Sequence, residues 1–277
     1  MTTIPNITLH DGTSMPQLGF GVFQVPDDGA QASVATALEA GYRSIDTAAI
    51  YGNEAGVGRA IAESGLDRDD VFVTTKLWLD GLSREGVRPA LEASLEKLGL
   101  EKVDLYLIHW PAPATDAYLA AWEGMEEIRE LGLSRSIGVS NFLPEHLDRV
   151  VGLGGSMPTV NQIELHPALR SAGVEAANAA HGIATEAWSP LGQGSVLGDP
   201  VLARVAEAHG VSPAQAVLRW HLQQGRIVIP KSVTPQRIRE NIDVFGFVLD
   251  EAQMAAIDAL DAGEAGRTGK VPGDFND

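Results

Sequence analysis

Residues 71–109 read VFVTTKLWLDGLSREGVRPALEASLEKLGLEKVDLYLIH. Two short β-branched and aromatic runs, VFVTTK (71–76) and VDLYLIH (103–109), flank a segment in which Val87, Leu91, Leu95 and Leu98 recur at three- and four-residue steps. The runs have the pattern of buried strands, and the segment between them, over 84–98, that of an amphipathic helix. Strands this apolar, separated by a helix, are expected to be parallel and covered on both faces.

The unit repeats in both directions. Further strand candidates are 20–24 (FGVFQ), 43–47 (RSIDT), 136–140 (SIGVS), 160–165 (VNQIEL), 184–188 (ATEAW) and 227–231 (IVIPK). Helical patterns lie near 30–40, 54–63, 117–131, 144–151, 171–181, 200–223 and 235–241. Eight such units fit a single (β/α)8 TIM barrel spanning 1–277 as one domain. A doubly wound sheet usually carries a glycine fingerprint after its first strand. Gly19-Phe20-Gly21 begins like one, but no helix starts there. Before the first unit, NITLHDG and SMPQLGF form an N-terminal β-hairpin through the Asp11-Gly12 turn, placed to cap the barrel floor. After the last unit, 250–261 adds an extra helix near the C-terminus, and the Gly/Asp-rich tail from Gly263 to Asp277 reads as a loop with freedom to move.

Composition narrows the class. With no cysteine, disulfides, thiolate metal sites and a cysteine nucleophile are excluded. Lys and Arg number 20 against 37 Asp and Glu, a net charge of −17. A field of that sign repels nucleic acid and anionic membranes, so neither is expected as a partner. The N-terminal MTTIPNITLHDG lacks a charged-then-apolar leader pattern, and no apolar run approaches membrane-spanning length. A cytoplasmic enzyme is the expectation.

Barrel enzymes carry their chemistry at the C-terminal ends of the strands. The polar residues there are Asp46, Lys76, His109, Ser140 with Asn141, Gln162, Trp188 and Lys231, at successive intervals of 30, 33, 31, 22, 26 and 43 residues. Tyr51 follows Asp46 in IDTAAIYGNE. A tyrosine is a weak acid, with an ordinary pKa of about 10. A nearby ammonium favours the phenolate and makes the hydroxyl a better donor. An aspartate neutralises a lysine that otherwise resists burial, and a histidine orients a carbonyl oxygen. Together such groups stabilise an alkoxide forming from a carbonyl. Taken singly, Asp46 also reads as a turn cap, Tyr51 and His109 as satisfied core residues, and Lys76 as a rim charge.

Three segments go beyond this pattern. GYRSIDTAAIYGNEAGVGRAI (41–61), LEASLEKLGLEKVDLYLIHWP (91–111) and IPKSVTPQRIREN (229–241) resemble the signature segments of the aldo-keto reductase superfamily. Among its members, the short bacterial 2,5-diketo-D-gluconate reductases are the nearest in likeness. MPQLGFGVFQVP, TTKLWLDG, RSIGVSNF, NQIELHPA, WSPLGQG and PAQAVLRWHLQ support the resemblance.

The resemblance implies a barrel that binds NADPH in an extended pose across the rim, needs no metal, and acts as a monomer on a small-molecule carbonyl such as 2,5-diketo-D-gluconate or methylglyoxal. It assigns Tyr51 as general acid, Lys76 and Asp46 as its tuning pair, and His109 as carbonyl orienter. Ser140, Asn141 and Gln162 would hold the nicotinamide carboxamide and Trp188 would stack on the ring. Ser189, Leu191, Gln193 and Gly194 would approach the pyrophosphate. Lys231, Ser232 and Arg237 would take the 2′-phosphate, with Val233, Glu240 and Asn241 beside the adenosine. Phe23, Ile50, Trp78 and Trp110 would line the substrate mouth.

The phosphate assignment has support from charge. Between Arg226 and Glu240 lie four basic residues (Arg226, Lys231, Arg237, Arg239) and one acidic, a local positive patch in an acidic protein. Relatives tend to offer a further arginine where this chain has Thr234 or Pro235, which leaves fewer positive groups for NADPH. Two other readings stay open. One is an NADPH-binding barrel with a regulatory or structural role. The other is a phosphate-binding isomerase or aldolase that uses Lys76 as a Schiff-base lysine.

Overall fold

The 71–109 unit folds as its pattern predicts. In the computed structural model, which describes residues 4–276, Phe72–Leu77 and Val103–Ile108 are adjacent parallel strands joined by the helix Arg84–Leu98. Val87, Leu91, Leu95 and Leu98 are buried against the sheet. Each such side chain stabilises the fold by about 1.5–3 kcal/mol. Ser83 caps the helix by accepting a hydrogen bond from the Gly86 N–H at 3.0 Å.

In chain order the elements are β1 (Asn6–Thr8), β2 (Ser14–Pro16), β3 (Phe20–Gly21), α1 (Asp27–Ala40), β4 (Ser44–Asp46), α2 (Glu54–Glu63), β5 (Phe72–Leu77), α3 (Arg84–Leu98), β6 (Val103–Ile108) and α4 (Ala117–Glu130). There follow β7 (Ser134–Ser140), α5 (Pro144–Val151), β8 (Val160–Glu164), α6 (Ala172–Ala180), β9 (Ala184–Trp188), α7 (Pro200–His209), α8 (Pro213–Gln223), β10 (Ile227–Val228), α9 (Pro235–Ile242) and α10 (Glu251–Asp258). Strands β3 to β10 form one parallel sheet in sequence order. Its two edges meet where Leu18 bridges Val228: the Gly19 N–H donates to the Val228 carbonyl at 2.8 Å, and the Val228 N–H to the Gln17 carbonyl at 3.0 Å. This is the expected α/β barrel, with its helices outside.

Register decides what faces the barrel axis. Asp46 pairs with Thr74, Lys76 with Leu107, Ser140 with Gln162, and Gln162 with Glu186. Side chains alternate along each strand, so these residues point inward, while Val73, Tyr106, Ile108, Ile137 and Val139 join the shell beneath the helices. The lower interior is a separate apolar plug of Phe72, Leu105, Leu107, Val160 and Ile227, capped by Leu9 and Met15 from the β1–β2 hairpin. Asp11 of the hairpin turn accepts from the Ser136 hydroxyl at 2.6 Å, tying the cap to the start of β7. The hairpin closes the floor as expected, and the polar residues collect at the opposite end.

Three sequence expectations change. The pattern over 200–223 is two helices, because Gly210 takes φ 64° at the end of α7 and Ser212 with Pro213 starts α8. Ser212 and Gln215 form a reciprocal cap there. The first and last barrel strands are shorter than predicted. Gln24, at φ 59°, turns the chain away after β3, and Pro230 beyond β10 has no N–H to continue a ladder. The tail is not free: residues 262–276 lie across the barrel mouth, with the Ala262 N–H on the Ala168 carbonyl at 2.9 Å and the Ala114 N–H on Asn276 Oδ1 at 2.8 Å.

Candidate active site

Strand ends β4, β5 and β6 bring three of the predicted residues together, and the turn after β4 adds the fourth. Lys76 is fully buried; its Nζ donates to Asp46 Oδ1 at 2.6 Å and to the Thr47 carbonyl at 2.9 Å. The same Nζ lies 5.2 Å from the centroid of the Tyr51 ring. The Tyr51 and His109 rings meet edge to face, 5.6 Å between centroids. Thr47 is held in turn by Asn53, which accepts from its hydroxyl at 2.7 Å and donates to the carbonyls of Val22 and Val25.

The electrostatics follow from this geometry. Burial works against the charge of Lys76, but Asp46, with Tyr51 and Glu186 behind it, outweighs burial and keeps the ammonium above its ordinary pKa. A Schiff-base lysine must be neutral to attack. Lys76 is charged and engaged, so the aldolase reading does not fit. Burial pushes the Tyr51 phenol up; Lys76 opposes this as expected, while Asp46 and Glu186 add to it, and the net shift is upward. Tyr51 therefore holds its proton at neutral pH. Burial, then Lys76, hold His109 well below the usual imidazole range, so its ring is neutral.

Aromatic residues wall the opening. Phe23 packs on Tyr51 at 5.1 Å and Trp78 on His109 at 5.2 Å, with Trp110 stacked beyond His109 at 6.4 Å. Phe23 and Ile50 are exposed at the edge. One wall was not legible in the sequence. Phe275 of the tail lies 4.5 Å from the Trp110 ring and 6.2 Å from Trp78. A lone aromatic in a Gly/Asp-rich tail was its only signal.

The residues expected to hold a nicotinamide are tightly linked. Asn141, at φ 63°, donates to the His109 carbonyl at 2.9 Å and to Ser140 Oγ at 3.1 Å, and its Oδ1 accepts from the Trp188 indole at 2.9 Å. The Ser140 hydroxyl donates to the Gln162 carbonyl at 2.8 Å. Both N–H groups of the Gln162 amide are taken, by Asp46 Oδ2 at 2.8 Å and Glu186 Oε2 at 2.9 Å. The loop after β9 is shaped by left-handed residues, Ser189 at φ 46°, Gln193 at φ 53° and Gly194 at φ 93°. Half-buried Leu191 sits inside it, and Gln193 reaches Thr268 of the tail at 3.4 Å.

At the far end of the rim, Ser232 Oγ accepts from the Thr234 N–H at 3.1 Å just before α9. Lys231, Val233 and Arg237 are exposed around it. Glu240 accepts from Gln236 at 2.7 Å, and Asn241 is buried. The positive patch loses one expected member. Arg226 precedes β10 and so lies at the N-terminal end of the barrel, where it forks onto Glu175 at 2.6 and 2.9 Å and stacks on Trp220. Closeness in sequence to Lys231 hid the length of a strand between them.

Two further carboxylates escaped sequence reasoning. Glu164, buried at the end of β8, accepts from the Thr268 N–H at 2.6 Å, the Thr268 hydroxyl at 2.7 Å and the Gly269 N–H at 2.9 Å, with His166 at 3.1 Å. It anchors the tail beside Trp188, where a Cβ on Gly269 would come within 2.3 Å of the indole. Glu186 is buried inside β9 beside Gln162, its partner in register. A glutamate at an inward position of ATEAW was its signal.

Comparison with known proteins matches the barrel over nearly its whole length. The model described as the aldo/keto reductase family matches residues 15–262. A protein named aldo-keto reductase from Mycolicibacterium vanbaalenii is 55% identical over 257 residues, covering 93% of this chain and 92% of that protein. Methylglyoxal reductase DkgA of Yersinia pestis is 53% identical over 262 residues, covering 94% of each. A crystal structure of a Gox0644 mutant in complex with NADPH superposes with a TM-score of 0.94 at 46% identity, covering 99% of each chain.

Proposed function

The chain belongs to the aldo/keto reductase family, and from that premise we propose that it reduces small aldehydes, ketones or dicarbonyls to alcohols with NADPH, using Tyr51 as the proton donor. Its class is that of an NADP-dependent oxidoreductase. The observation that carries the reading is the buried Lys76–Asp46 pair, 2.6 Å apart, set 5.2 Å from the Tyr51 ring at the bottom of an aromatic opening.

The residues present fit the cofactor. Gln162 Oε1 accepts no hydrogen bond among the described residues, which leaves it free to accept from a carboxamide. Trp188, oriented by Asn141, offers an aromatic face to a nicotinamide ring. Lys231 and Arg237 stand exposed beside Ser232, a donor set suited to a 2′-phosphate. When bound, NADPH supplies the hydride. Tyr51 gives its proton to the carbonyl oxygen, Lys76 balances the phenolate left behind, and Asp46 holds Lys76 in place. The neutral ring of His109 orients the same oxygen through its N–H.

Methylglyoxal and 2,5-diketo-D-gluconate are the proposed substrates. The identity to a methylglyoxal reductase supports the dicarbonyl class, and the aromatic mouth suits small, flat carbonyls. A monomer is proposed from the likeness to the short bacterial reductases, and cytoplasmic work is consistent with NADPH as reductant. No helix among the described residues is long and apolar enough to cross a membrane. In Tyr51→Phe, NADPH consumption with methylglyoxal is expected to fall by about a thousandfold or more while NADPH binding persists, because the lost hydroxyl acts in the transition state. Near-normal turnover in that variant would sink the mechanism.

A further inference from the structure

Glu186 has no role in the mechanism above, yet it occupies the space directly beneath it. The side chain is fully buried. Its Oε2 accepts from Gln162 Nε2, whose second hydrogen goes to Asp46 Oδ2, so one amide bridges two carboxyl groups at 2.9 and 2.8 Å. Asp46 in turn holds Lys76 at 2.6 Å. Glu186 Oε1 is buried with no partner among the described residues.

We propose that Glu186 is a positioning residue of this centre: it fixes the Gln162 amide, and through it the Asp46 carboxylate, while its own proton sets how much negative charge lies beneath Lys76 and Tyr51.

The steps follow from chemistry. An amide oxygen turned toward two carboxyl groups would be repelled, so the NH2 of Gln162 must face them and its Oε1 must face away. Glu186 thus presents that acceptor to the rim. The charged groups facing Glu186 are Asp46 on β4 and Lys76 on β5, with Tyr51 beyond them. Strand β8 offers the neutral Gln162, and β10 pairs Ile227 beside it. Two carboxylates sharing one ammonium in a dry interior do not both ionise readily. Asp46 has the direct bond to Lys76, so Glu186 keeps the proton, and burial with the Asp46 charge pushes it up to about 8. Once it ionises, the added negative charge makes Tyr51 a weaker proton donor.

The proposal depends on the reductase reading for its catalytic consequence but not for the ionisation itself, and two measurements separate them. Single-turnover NADPH consumption with methylglyoxal is followed from pH 6 to pH 9. The native enzyme slows by about tenfold between pH 7 and pH 9, the change expected for one ionisation near 8. In Glu186→Gln, which mimics the protonated carboxyl, the ratio of the two rates stays below about twofold. If that variant keeps the same inflection, the proposal is wrong.

Thermal unfolding tests the proton without turnover. A carboxyl protonated in the native state up to about pH 8, and ionised in the unfolded chain above its ordinary 4.5, stabilises most below that lower value. The contribution is lost as pH rises toward the folded value. The Tm of the native protein should therefore drop relative to Glu186→Gln between pH 5 and pH 8. A constant difference overturns the proposal even if turnover is absent. Absent turnover with a pH-dependent difference removes the reductase reading and leaves the ionisation standing. Glu186→Leu, which cannot hold the amide, should bind NADPH about tenfold more weakly than Glu186→Gln. Equal binding would refute the positioning role.

Discussion

Replacing Glu164 by Gln tests whether the tail is part of the site. The carboxylate receives three hydrogen bonds from the tail, from the N–H of Thr268, its hydroxyl and the N–H of Gly269, at 2.6, 2.7 and 2.9 Å. Burial alone would raise its pKa, but these donors and His166 outweigh burial and hold it below the usual value. A neutral amide keeps one acceptor oxygen and turns an NH2 toward at least one tail N–H. A hydrogen bond to a charged group contributes about 1.5–3 kcal/mol, and about half of three such bonds remains at best. The docked tail should therefore lose about 3 kcal/mol, roughly a hundredfold in its local opening equilibrium.

Hydrogen exchange at the Thr268 and Gly269 amides reads this directly. They should exchange about a hundredfold faster, while core amides of β6 keep their protection. Because the tail carries Phe275 onto Trp110, KM for methylglyoxal should rise as well. Exchange at those two amides within threefold of the native rate would refute the latch. Acid should mimic the substitution. A carboxylate held below its ordinary pKa stabilises fully above the unfolded value of 4.5 and loses that contribution as pH falls through the folded one, so unlatching belongs below pH 4.5.

Lys76→Met should abolish turnover and lower stability by about 3–5 kcal/mol in urea unfolding, because Asp46 is left as an unpaired buried charge. Little loss of stability would mean that Asp46 becomes protonated without cost. Arg237→Ala should weaken NADPH binding by about ten- to a hundredfold and leave NADH binding unchanged, since the proposed partner of the guanidinium is the 2′-phosphate, which NADH lacks. Arg226→Ala should do the opposite, lowering Tm through loss of the Glu175 fork while NADPH affinity holds; a loss of NADPH affinity there would contradict its place at the barrel floor.

Periodicity carried most of the fold. The strand–helix alternation and the inward-facing positions of Asp46, Lys76, His109 and Gln162 are properties of local pattern, and register then delivers them to one rim. What the sequence hid depends on distances through space. The split of 200–223 was in fact written locally, in Gly210, Ser212 and Pro213, beneath an apolar pattern that runs through both helices. The tail was not written locally at all. Its order comes from Glu164, about a hundred residues away in the chain, and no pattern within Gly263–Asn276 announces a partner at that range. Arg226 failed for the converse reason: adjacency in sequence says nothing about which end of a barrel a residue occupies.

Glu164 and Glu186 show why residue type alone does not settle charge in this barrel. Both are buried, on neighbouring inward-facing strands, with Glu164 beside Trp188 and Glu186 beside Gln162 in register. Glu164 meets four donors and an arginine 3.6 Å away, and it stays ionised. Glu186 meets one shared amide and another carboxylate, and it keeps a proton to about pH 8. Burial works against the charge of both, more fully for Glu186; the donors around Glu164 and the Asp46 charge beside Glu186 then separate them. That difference divides the labour at the rim. The ionised glutamate clamps the tail, and the protonated one leaves Asp46 as the single counter-charge of Lys76. A second fixed negative charge beneath Lys76 would hold the phenolic proton more tightly, so in the proposed mechanism a neutral Glu186 makes Tyr51 the better donor at neutral pH.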